Sequence, residues 1–156
     1  MEFLQPRTPL RAVVLAGLLA GALDITAALT LAYFRGAGPI PVLHFIASGV
    51  LGPTAFEGGA ATASLGLALH FVIALGAAAV YWAASRWIRV LSTHPIPSGL
   101  LYGVAVYFFM NLVVLPLSAV PQRRFVPTLA MAAIHMLLVG LPIALVLRRA
   151  APVRLT

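Results

Sequence analysis

Four apolar runs, each long enough to cross a lipid bilayer as a helix, leave this chain few folds to choose from. A hydrocarbon core needs about 20 consecutive apolar residues in helical form. Residues 10–34, 62–84, 97–118 and 125–147 meet that requirement. Inside lipid the backbone N–H and C=O groups must pair within the chain, and runs of this length do so as helices. A soluble domain is excluded: 62% of the 156 residues are hydrophobic and 8% are charged, against roughly 25% charged in soluble proteins. Residues 1–156 are expected to form one all-α transmembrane domain, a four-transmembrane-helix bundle.

The first run resembles the start of a secretory signal, because Arg7 and Arg11 precede it. It continues past Asp24 to Phe34, longer than the ~7–15 residues of a signal's apolar region. It is therefore read as a retained helix. The segment 40–52 is apolar but short, and stretches of about 10–14 apolar residues are more often re-entrant or interfacial. It is read as a short helix lying in, or dipping into, the outer leaflet, with Gly52-Pro53 and Gly58-Gly59 turning the chain into the second span.

Charge sets the orientation. Lysine is absent, so all ten basic residues are Arg and the net charge is +7. These arginines cluster at the ends of apolar runs, where they anchor and orient membrane proteins, and not along a face that could track nucleic acid. With the N-terminus inside, Arg7, Arg11, Arg86, Arg89, Arg148, Arg149 and Arg154 are cytoplasmic, and Arg35, Arg123 and Arg124 are outside. An N-in, C-in protein of a bacterial inner membrane is expected; the Ala, Gly, Leu and Arg bias fits a GC-rich bacterial genome. Cysteine is absent, which excludes disulfides, thiolate metal sites and a Cys nucleophile.

Each span carries an isolated polar residue: Asp24, His70, Asn111 and His135. Polar groups inside hydrocarbon are costly and turn toward the bundle interior. Counting 1.5 Å per residue from the span ends puts all four about 10–15 Å below the outer boundary. Each lies on a stripe of small residues, such as Gly17 and Gly21 before Asp24, or Gly99, Gly103 and Tyr107 before Asn111. Small residues let membrane helices approach closely, so the polar layer is expected to face inward. Asn111 and Tyr107 read mainly as interhelical hydrogen-bonding groups. Asp24 is the residue hardest to explain by packing alone, because an ionised carboxylate at that depth needs a partner. His44 and Glu57 flank the re-entrant segment and could form an outer mouth.

Three chemistries could use such a layer. Asp24 with His70 or His135 could bind or pass a proton, a cation or a small solute. His70, His135 and Asp24 could ligate a divalent metal, since imidazole and carboxylate suit Zn, Fe, Ni or Cu. His70 and His135 at equal depth could hold haem or a pigment. No cofactor is required by the residues. With three acidic residues in all, no nucleotide loop and no Ser/His/Asp elbow, the chain is expected not to be an enzyme. The leading expectation is transport through the Asp/His/His/Asn layer, with a homo-oligomer completing the path. The alternatives are a non-enzymatic accessory subunit of a larger membrane complex and a purely structural bundle.

The stretch Leu65-Gly-Leu-Ala-Leu-His70-Phe-Val-Ile, then Val80-Tyr, Gly99, Gly103 and Leu115-Pro-Leu-Ser-Ala-Val-Pro121, resembles the YagU-like group of small bacterial inner-membrane proteins. The resemblance covers the second and third spans. It implies a bacterial inner-membrane protein without established enzymatic activity, and it supplies no mechanism.

Overall fold

The structure is a computed structural model and describes residues 8–121, 127–148 and 150. Helix α1 is Pro9–Phe34 and α2 is Pro39–Leu51, followed by a 3-10 helix at Gly52–Phe56. Helix α3 is Gly59–Ser85, and α4 is the single turn Val90–Thr93. Helix α5, Pro95–Phe109, runs through a π-helix at Met110–Val114 into the short α6, Leu115–Leu117. Helix α7, Leu129–Ile134, runs through a second π-helix at His135–Gly140 into α8, Leu141–Leu147. The described residues contain no strand. Five helices, not four, are long and apolar enough to cross a membrane: Pro9–Phe34, Pro39–Phe56, Gly59–Ser85, Pro95–Leu117 and Leu129–Leu147.

Local chemistry accounts for most of the boundaries. Thr8 opens α1 by accepting the Arg11 N–H at 3.4 Å, and Pro9 follows at a position where a missing N–H costs nothing. Thr128 opens α7 in the same way, accepting the Met131 N–H at 3.3 Å. The last span therefore begins after Thr128. Residues 125 and 126 of the expected span lie outside the described residues. Gly52 ends α2 with φ +62°, a conformation that side chains with a Cβ rarely adopt.

Both π-helices end two residues before a proline, Pro116 or Pro142. A proline inside a helix lacks an N–H and its ring pushes on the carbonyl four residues earlier, here Leu112 or Leu138. Widening the preceding turn to π geometry relieves that pressure without breaking the helix.

Glycine contacts fix the helix directions. Gly17 meets Leu75, and Gly21 meets Phe71 and Ala74, so α1 and α3 run antiparallel. Gly99 and Gly103 meet the backbone of Gly140 and His135, so the fourth and last long helices are antiparallel too. Ala12, Val13, Ala16 and Ala20 of α1 share one core with Ala78 and Tyr81 of α3 and Val139, Ile143, Ala144 and Leu147 of the last helix. Pro9–Phe34, Gly59–Ser85, Pro95–Leu117 and Leu129–Leu147 therefore alternate in direction. The core lies toward the end where α1 begins and α3 and α8 finish. Arg11, Arg86, Arg89 and Arg148 lie at that end and Arg35 at the other. Arg7, Arg123, Arg124, Arg149 and Arg154 fall outside the described residues.

Tyr81 lies in the last turns of α3. It is buried in the core, and its hydroxyl donates to the Leu91 carbonyl at 2.9 Å. Trp87 is exposed.

The α1–α3 pairing also places α2. Because Gly21 sits beside Phe71, Phe34 and the start of α3 come to the same end of the pair. Residues 35–58 thus leave and return at one end. Helix α2 packs closely enough on α3 for the Leu43 carbonyl to press on Gly66. Its far end meets the segment after α6, where the Ala119 N–H donates to the Gly49 carbonyl at 3.0 Å. Its buried side chains, His44, Ala47 and Ser48, form one face.

Candidate functional site

The polar layer gathers in part. Asp24 of α1, His70 of α3 and His135 of the last helix line one cavity of about 220 Å³. Phe45, Ile46 and Gly49 of α2 line the same cavity. Asn111 and Tyr107 are not among its lining residues. Asn111 donates its Nδ2–H to the Tyr107 carbonyl one turn back at 2.8 Å, which ties it to its own helix. Tyr107 is buried, packs its ring 5.2 Å from that of His135, and accepts the Thr128 N–H on its hydroxyl at 3.1 Å. It therefore braces the helix that carries His135.

The two cavity histidines are held by backbone carbonyls. His70 donates from Nε2 to the Gly21 carbonyl of α1 at 2.9 Å. His135 donates from Nδ1 to the Met131 carbonyl of its own helix at 2.9 Å. A carbonyl can only accept, so each bond selects a tautomer and leaves the other ring nitrogen as an acceptor. Those nitrogens, Nδ1 of His70 and Nε2 of His135, have no hydrogen-bond partner among the described residues. The Asp24 carboxyl has none either. Three proton-accepting groups around one small, mostly apolar cavity make it chemically suited to holding a proton or a protonated solute.

A second, larger cavity of about 600 Å³ adjoins the first. It runs along α1 from Arg35 to Asp24 and is bordered by α2, Phe56 and α7. Asp24, Phe45 and His135 line both cavities. This vestibule exists because α2 leans on α3 and touches α1 only lightly. Neither cavity is lined by residues of the arginine-rich end, where the packed core of Tyr81, Ile143 and Leu147 fills the bundle.

His44 is buried under α3, not at an open mouth. Its Nε2 donates to the Gly59 carbonyl at 2.8 Å and its ring packs edge-on to Phe56 at 6.1 Å. It pins α2 to the start of α3. Glu57 is exposed in the turn between them. Among the described residues no three His, Asp or Glu side chains converge closely enough to hold a metal ion. The expected set of His70, His135 and Asp24 is spread around the cavity, with one nitrogen of each histidine already committed to a carbonyl. The cavity that His70 and His135 share has a volume of about 220 Å³.

The vestibule, with Phe45 between it and the inner cavity, was not anticipated from the sequence. The available signal was the apolar face of residues 40–52 beside a span bearing Asp24. Comparison with protein-family models, with curated proteins and with solved structures finds no match to this chain.

Proposed function

We propose that this chain is a small multi-pass protein of a bacterial inner membrane that crosses four times, with both termini in the cytoplasm, and that Asp24 binds and releases a proton drawn from the outer side. Supporting the crossing number, residues 35–58 leave and return at one end of the α1–α3 pair, and Gly52 breaks the Pro39–Phe56 helix. On this reading that helix dips into the outer leaflet and returns. The arginines at the opposite end match the cytoplasmic side.

The observation that carries the functional reading is the meeting of the two cavities at Asp24, Phe45 and His135. The vestibule gives Asp24 access from one side, and the packed core below blocks the other. A site open to one side at a time is the requirement for coupled transport of a proton with a cation or small solute. His135 and His70 serve as further proton acceptors beside Asp24. A complete path is proposed to need rearrangement of the lower core or a homo-oligomer. The resemblance to YagU-like proteins points to the same class of small bacterial inner-membrane protein.

The chain is free of cysteine, so single cysteines report without background. Ala37→Cys and Glu57→Cys are expected to react with an impermeant thiol reagent from the same side, and Trp87→Cys from the opposite side. Reaction of Ala37→Cys and Glu57→Cys from opposite sides overturns the four-crossing reading. In proteoliposomes with an internal pH dye, the wild type is expected to dissipate an imposed proton gradient and Asp24→Asn is not. Undiminished dissipation by Asp24→Asn overturns the proton site.

A further inference from the structure

The vestibule has the dimensions and charge of a specific kind of ligand. Its volume of about 600 Å³ falls within the range of small-molecule sites. Its walls are apolar, with Leu31 and Ala32 of α1, Val42 and Phe45 of α2, and Met131 and Ile134 of α7. Two ends are polar. Asp24 and His135 lie at the inner end and Arg35 at the outer end. Arg35 and Asp24 are eleven residues apart on α1, roughly 16 Å at the helical rise. That is close to the ~15 Å depth of one hydrocarbon leaflet. Among the described residues Arg35 has no acidic partner.

We propose that the vestibule binds a single-chain carboxylate of the fatty-acid type, its head on the Arg35 guanidinium and its chain lying along α1 toward Asp24. The proposal rests on the reading of the vestibule as the outer access to Asp24, and it names the solute class. A bare metal cation fits poorly, because the only charge at the outer rim among the lining residues is positive and would repel it. A carboxylate fits the guanidinium fork, which holds planar anions through two parallel N–H bonds. The distance from Arg35 to Asp24 along α1 is about one leaflet, which matches the length of a single acyl chain.

The test is equilibrium binding of radiolabelled palmitate to the full chain in nanodiscs of zwitterionic lipid. Saturable binding of one palmitate per chain is expected, with hexadecanol competing at least about tenfold more weakly, which is what loss of a charge-assisted pair produces. Arg35→Gln is expected to weaken palmitate by about the same factor, and Arg35→Lys by less. Ala32→Phe, which fills the slot, is expected to block binding; equal thermal stability of this variant and the wild type checks the fold. Equal competition by hexadecanol, or unchanged affinity in Arg35→Gln, overturns the head-group assignment. Binding of a lysophospholipid in preference to palmitate overturns the carboxylate assignment. Failure of the proton reading is separately visible: palmitate then binds normally while Asp24→Asn dissipates a gradient as the wild type does.

Discussion

The Nε2–H of His70 donates to the Gly21 carbonyl across the α1–α3 interface at 2.9 Å. Gly21 makes this contact feasible, because a Cβ there would sit 2.9 Å from the Phe71 ring and 3.1 Å from Ala74. The bond is therefore both a strut between two spans and the element that fixes the His70 tautomer.

The two roles separate by substitution. Hydrogen bonds between membrane helices contribute about 0.6 kcal/mol on average and about 1.7 at most. His70→Leu is expected to lose that much stability, while His70→Gln keeps a donor and loses less. Thermal unfolding in mild detergent measures this. Proton uptake by proteoliposomes is expected to fall in both variants, since neither offers a titrating nitrogen. Uptake unchanged in His70→Gln would make His70 a strut only.

Gly140, like Gly66, is a position where a Cβ would overlap a carbonyl of the facing helix. A Cβ at Gly140 would overlap the Gly99 carbonyl and the Gly103 backbone, so the helices cannot part locally without losing the contact. Overpacking in a core costs about 1–3 kcal/mol and occasionally more, and here the obstacle is rigid backbone. Gly140→Val is expected to abolish the monodisperse peak in size-exclusion chromatography. Gly76→Ala is the control, because a Cβ at Gly76 meets nothing within 4 Å; it should elute as the wild type does.

The helical membrane class was legible because lipid imposes its own length rule on apolar runs. The convergence of Asp24, His70 and His135 on one cavity was legible because depth along a straight helix is simple counting. Asn111 was drawn into the layer by the same counting, yet it turns to the Tyr107 carbonyl. Depth alone says nothing about rotation, and the π-helix that begins at Met110 shifts the phase that the stripe from Gly99 assumed. The vestibule was not legible, since it is a gap between α1, α2 and α7. No single segment carries a pattern for a gap.

Phe45 reaches from α2 into both cavities, so its ring stands between the vestibule and His70. Phe45→Ala is expected to join the two spaces and raise the rate of proton-gradient dissipation several-fold. Burying a Phe side chain fully is worth about 3–5 kcal/mol against Ala, and Phe45 is only partly buried, so stability should fall by less. Phe45→Leu, which keeps bulk, should lie between. Identical rates in all three proteins would show that the ring does not control access.

Pro142 makes the most specific demand on the last span. The π-helix at His135–Gly140 precedes it, and His135 begins that π segment with its ring over Tyr107 at 5.2 Å. If Pro142 holds the turn open, Pro142→Ala restores the N–H that an α-helix would give to Leu138. The segment is then expected to tighten to α geometry, rotating His135 relative to Gly140 by part of a turn. An interior proline costs about 3 kcal/mol in a regular helix, so the variant should be no less stable than the wild type, and the backbone amide it gains should be protected from exchange. Gly140 must stay against Gly99 and Gly103, so the rotation falls on His135 and moves it off Tyr107. Proton uptake is therefore expected to drop in Pro142→Ala while stability holds. Retained uptake together with a protected amide would separate the π geometry from function.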